Sequence, residues 1–193
     1  MKVKIGKLVK DFNLYPRGQV DSYHYNEIFE ALKAGHSMPA IIVDKASLRI
    51  VDGFHRHAAY LKLYGEDHVV DVVARTYASD SDMLLEAMRL NAAHGRNLTV
   101  YDKARCLTIG ADMGLARETI AHALNITVER ADEVVMSRTA ASGEILKRTM
   151  GHMAGQELTA EQKVFNRKAG GLDQLFYINQ LLGLLESDSV DWE

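Results

Sequence analysis

The 193 residues are 47% hydrophobic and 25% charged with only two prolines, a composition that excludes collagen-like and disordered classes. The length allows a core domain plus a smaller helical one. A formal charge of −3 leaves no global basic surplus for nucleic acid, so any such contact must be local.

In chain order, Val3 and Ile5 alternate weakly and predict a short edge strand over 3–9, followed by a turn at Pro16 and Gly18 that carries Arg17. Tyr25, Ile28, Phe29 and Leu32 recur at helical spacing between a cap at Asp21 or Ser22 and a stop at Gly35. The runs PAIIVD and LRIVDG, separated by KAS, predict a hairpin. A helix over 54–64 ending at Gly65, a third strand in HVVDVVARTYA and a helix over 79–93 follow. From Thr99 the strand signal stops, and helices are predicted over 99–113, 117–124, 128–138, 160–168 and 172–186. The fold class is therefore α/β (α+β): a small mixed β-sheet domain over 1–97, then an all-helical domain over 98–193.

The densest chemistry lies in IVDGFHRHAAY, where Asp52, Gly53, Phe54, His55, Arg56 and His57 occupy a strand-to-helix junction. Gly53 can adopt backbone angles closed to other residues and lets a ligand approach the main chain. The first turn of the helix beyond it offers unpaired N–H groups at the positive end of a dipole, which favours an anion. Arg56 brings a guanidinium fork suited to phosphate, and His55 and His57 can donate hydrogen bonds. The alternative is an ordinary cap, with Asp52 capping the helix and the three cationic residues solvated. Against it, positive side chains at a helix N-terminus oppose the dipole. Zinc is the weaker reading, because His55 and His57 project roughly 200° apart on a helix and no partner has metal spacing.

The stretch from Pro39 to Val73 resembles the centre of the ParB/sulfiredoxin superfamily, whose members carry a Gly-x-His/Arg-Arg box between a hairpin and a helix and bind nucleotide phosphates there. The turn with Arg17 and the helix over 22–34 fall where a ParB N-terminal domain has them, and the order of elements agrees over about 1–138. Sulfiredoxins place a catalytic Cys where this chain has Phe54, which argues against sulfinic acid repair. The box also resembles that of ParB-like free-serine kinases through Asp52-Gly53-Phe54-His55-Arg56. ParB-like proteins of phage and mobile-element type carry Asn-x-x-His-Gly-x-x-Leu further on, matched by Asn91, His94, Gly95 and Leu98. Chemistry alone makes Gly95 a helix-ending glycine and His94 a last-turn cation. The resemblance instead turns Asn91, His94, Gly95 and Arg96 toward a triphosphate and adds Arg17 and Phe54 to the binding set. It implies CTP or ATP with Mg²⁺, and slow nucleotide hydrolysis. A small-molecule kinase or nuclease with Asp52 or His55 as base is the alternative.

Residues 117–138 fit a helix-turn-helix, with Ile120, Ala121, Leu124, Ala131 and Val134 inside and Asn125 in a left-handed turn. Arg117, Thr127 and Arg130 are the candidate DNA contacts, yet the span 99–138 holds five basic and six acidic residues, which opposes phosphates. The leucine-rich helix over 172–186 predicts burial within its own domain or in a homodimer. Cys106 stands alone and predicts a buried structural thiol. No apolar run reaches the roughly 18 residues of a membrane span, and MKVKIGKLVKDF lacks the apolar centre of a signal peptide, so a cytoplasmic location is expected.

Overall fold

A computed structural model describes residues 1–18, 21–93 and 97–168, in two compact units, Met1–Val134 and Val135–Glu193. The helix expected over 172–186 lies outside the described residues.

The first unit is built on four strands, β1 (Lys2–Lys4), β2 (Ile41–Asp44), β3 (Ile50–Asp52) and β4 (Val69–Arg75), in the order β1-β4-β2-β3. β2 runs parallel to β4, while the β1–β4 and β2–β3 pairs are antiparallel, giving the mixed sheet the sequence predicts. Two helices accompany it, α1 (Ser22–Lys33), capped by the Asp21 carboxylate, and α2 (Phe54–Tyr64), which with β3 forms the connection between the parallel strands β2 and β4. Period-two alternation places Ile41 and Val43 of β2 and Val70 and Val72 of β4 in one core with Val3, Ile5, Ile50 and Phe54. Complete burial of each aliphatic chain contributes about 1.5–3 kcal/mol.

β1 is shorter than the expected 3–9. A Cβ on Gly6 would lie 2.8 Å from the Glu66 Cβ, and the Gly6 N–H donates to the Glu66 carbonyl at 3.0 Å. This close crossing curls Ile5–Lys7 into a 3-10 turn. The chain rejoins the sheet at Val9, whose N–H donates to Leu48 O at 3.0 Å and whose carbonyl accepts from Ile50 N at 2.9 Å. Between β2 and β3 the Asp44 carboxylate accepts from the Ser47 N–H (2.8 Å) and hydroxyl (2.7 Å), which fixes the hairpin turn.

Three more helices belong wholly to this unit, α3 (Asp80–Ala93), α4 (Val100–Asp112) and α5 (Arg117–Ala123), and α6 (Val128–Met136) begins in it. Ser79 accepts from the Asp82 N–H at 3.1 Å, and Thr99 forms a reciprocal capping box with Asp102. α3 packs on β3, α4 and α5, so the change from strands to helices near residue 97 falls inside one compact unit. Asn125 takes φ 54° in the turn between α5 and α6, and Ile120, Ala121, Leu124, Ala131 and Val134 are buried. α6 stops two residues before the expected end, as the chain turns so that the Thr139 hydroxyl donates to Val135 O at 2.7 Å.

In the second unit Thr139 pairs with Ile145, a 3-10 helix spans Arg148–Met153, and α7 runs over Ala160–Lys168. Ala140, Leu146, Met150 and Leu158 form its core. The 3-10 helix carries no apolar period that sequence inspection detects.

Candidate functional site

β3 delivers Asp52, and Gly53 then takes φ 110°, ψ 25°, a left-handed conformation that opens α2 without any side-chain cap. A Cβ at Gly53 would lie 3.1 Å from Ile41 Cγ1 and 3.2 Å from an Arg56 guanidinium nitrogen, so both the backbone angle and the space demand glycine. The Asp52 carboxylate accepts from Arg56 Nη2 at 2.6 Å, which removes the ordinary-cap reading of Asp52. The first-turn amides of α2 thus have no capping side chain, the arrangement that suits an anion.

The side chains of the box depart from the sequence expectation. Arg56 commits three donors to the chain, with Nη1 donating to Pro39 O (2.8 Å) and Ala40 O (2.9 Å) and Nη2 to Asp52. It therefore staples the entry of β2 to the end of β3. His57 is a core residue, its Nε2 against Ile5 O at 3.2 Å, and burial holds its imidazole below the usual range. Phe54 is 1% exposed and stacks on Tyr15 with ring centroids 4.2 Å apart, so its ring belongs to the core and not to a ligand surface. For both, the helix period turns the residue inward where the sequence alone showed only proximity to the box.

His55 is half-buried at the heart of the cluster, and its Nε2 accepts from the Asp21 N–H at 3.0 Å, which places the ring proton on Nδ1. Burial first, then electrostatic repulsion from His24 and Arg17, pushes its pKa down to about 4, against weaker support from Asp21 and Asp52. His55 is therefore neutral at pH 7 and offers a phosphate a hydrogen-bonding group and not a positive charge. With Asp52 paired to Arg56 and His55 Nε2 occupied, neither candidate base stands ready for proton abstraction.

A neutral folded imidazole has a consequence for stability. The unfolded chain takes up the His55 proton near 6.5 and the folded chain only near about 4, so stability is complete above 6.5 and declines as pH falls between these values. Urea midpoints at pH 7, 6 and 5 should fall in that order. His55→Gln should flatten the decline in part, because buried His57 acts in the same direction.

The loop over 12–18 forms a roof above the box. Tyr15 is buried against Phe54, and burial raises its phenol well above the usual range. α4 holds this loop at three points: Arg105 Nη2 donates to Phe12 O (2.8 Å), the Cys106 thiol to Pro16 O (3.4 Å), and the Gly18 N–H to an Asp102 carboxylate oxygen (3.2 Å). Cys106 is fully buried and its thiol is pushed up to about 12, as its structural reading requires. Arg17 lies 3.9 Å from Asp102 with only 12% of its side chain exposed, and its charge is felt at both His55 and Tyr15. The structure thus brings Arg17, Asp52, Gly53 and His55 together and adds Tyr15 and Asp102, which sequence inspection missed. Asp102 is legible only as the third residue of a capping box, and its second contact comes from a loop far away in sequence. Asn91 donates to Ala87 O of its own helix at 2.9 Å, and His94, Gly95 and Arg96 lie outside the described residues.

The candidate DNA contacts are engaged within the α5–α6 pair. Arg117 pairs with Asp132 at 2.9 Å, Arg130 with Glu133 at 2.6 Å, and the Thr127 hydroxyl accepts from the Arg130 N–H at 3.2 Å as a cap for α6. No described helix is long and apolar enough to cross a membrane.

The strand order, the left-handed glycine that opens α2 and the helices that follow define a ParB-like N-terminal fold continued by helices. The ParB chromosome-partitioning protein of Caulobacter crescentus, C-terminally truncated and complexed to the centromeric parS site, matches at a TM-score of 0.51 and 14% identity, over 99% of this chain and 94% of that one. The same protein complexed with CTP-γ-S matches at 0.43 and 16% identity, over 94% and 98%. A Pnob8-like ParB-N domain matches at 0.47 and 15% identity, over 74% and 54%. No family model matches the sequence, and no curated protein does.

Proposed function

We propose that the chain is a partition-type, ParB-like DNA-binding regulator that responds to a nucleoside triphosphate, CTP or ATP. The observation that carries this is the uncapped N-terminus of α2 behind left-handed Gly53, with Arg17 held nearby under low exposure. In this reading the main-chain amides of Gly53, Phe54 and His55 and the Arg17 guanidinium receive phosphates. Asp52 and Arg56 hold the shape of the junction, and the resemblance to ParB-like proteins adds Asn91, His94, Gly95 and Arg96 to the binding set. A Mg²⁺ ion would accompany the bound triphosphate, as the resemblance implies. The fold shared with a ParB bound to parS DNA supports DNA as the second partner, and the leucine-rich stretch over 172–186 supports a homodimer as the assembly.

The test is thermal unfolding with CTP, ATP, GTP and Mg²⁺. One triphosphate should raise apparent stability by about 2.7 kcal/mol at a hundredfold excess over its Kd, and Arg17→Gln should remove most of that gain. Stabilisation by none of the three overturns the nucleotide reading.

A further inference from the structure

We infer that the phosphate backbone of duplex DNA is met by the second unit, through Lys147, Lys163 and Arg167, and not by α6. This rests on the DNA-binding reading above and names the surface that carries it.

The charge distribution points there first. Between residues 135 and 168 stand six basic residues (Arg138, Lys147, Arg148, Lys163, Arg167, Lys168) against three acidic ones, whereas residues 169–193 carry five acidic residues and no basic one, so the basic surplus is local to the segment that ends in α7 and does not extend over the whole second unit. α6 carries Glu129, Asp132 and Glu133, and its own cation Arg130, like Arg117 of α5, is neutralised by one of them. Lys147, Lys163 and Arg167, in contrast, form no ion pair among the described residues.

Geometry supplies the second argument. Asn166 is 2% exposed, and its amide pins α7 to the preceding segment: Oδ1 accepts from the Lys147 N–H and Nδ2 donates to Ile145 O, both at 2.8 Å. A buried amide with both functions satisfied is a rigid joint. It fixes Lys147 beside α7, on which Lys163 and Arg167 lie one turn apart on one face. Like charges at that spacing repel each other, and no carboxylate among the described residues relieves them. A polyanion does, and release of its counterions drives the contact without reading sequence.

The experiment is titration of the full chain onto a duplex DNA of mixed sequence from 50 to 300 mM salt. A chain with Lys147→Gln, Lys163→Gln and Arg167→Gln should bind more weakly, with a slope of log affinity against log salt shallower by about 0.9 per lost contact, near 2.7 in total. Lys147→Arg with Lys163→Arg, which keeps the charge, should keep the native slope and controls for folding. A native slope in the triple variant, with the slope lost instead in Arg117→Gln/Arg130→Gln, overturns the inference while leaving DNA binding intact. No binding of the native chain to any duplex overturns the functional reading as well.

Discussion

Phe54→Ala should lower the unfolding free energy by about 3–5 kcal/mol, measured as a drop in urea midpoint at unchanged slope. The ring is 1% exposed, lies in the core with Ile41 and Ile50, and is the surface on which the roof loop rests, stacked on Tyr15 with Phe12 at 5.8 Å. Removing it leaves a void bounded by a sheet on one side and a loop on the other. The sheet is hydrogen-bonded across β2, β3 and β4 and cannot collapse into the gap, so the cavity persists at the upper part of the range. The roof loop carries Arg17, so on the proposed function the variant should also show no stabilisation by a triphosphate even where it remains folded. A change below about 1 kcal/mol would show that the roof does not pack on α2 at all.

The second large effect belongs to Arg56. Arg56→Met keeps much of the aliphatic stem but removes the donors to Pro39 O, Ala40 O and Asp52, and should destabilise by about 2–3 kcal/mol, since hydrogen bonds from charged groups contribute more than neutral ones. Asp52→Asn should cost less, near 1 kcal/mol, because the two main-chain carbonyl bonds survive and Asp52 is 30% exposed, open to hydration. The order of the two variants separates a staple from a simple ion pair. Equal losses would mean that the carboxylate, and not the carbonyls, anchors the guanidinium.

The sequence made the scaffold legible where one period dominated. Alternation in β2 and β4, the cap at Asp21 and the buried stripe of Ile120, Leu124, Ala131 and Val134 all follow from single-element patterns. β1 was overextended because the constraint that ends it, the approach of Gly6 to Glu66, is a contact between distant residues. The box shows the same limit on a smaller scale. That Gly53 opens a helix behind a strand was readable from residue type, whereas which of His55, Arg56 and His57 faces ligand depended on where the helix starts. One step along α2 sends His57 into the core and Arg56 back to Pro39. Asp102 and Tyr15 entered the site only when the fold brought their segments to it.

Because the roof loop hangs from α4 by three separate tethers, the covering of the box and the helices behind it form one mechanical piece. Any ligand that lifts the loop must pull on Asp102, Arg105 and Cys106 together, and so shift a helix that packs on α5. A displacement of the loop is in this way carried to α4 through contacts already present in the resting molecule.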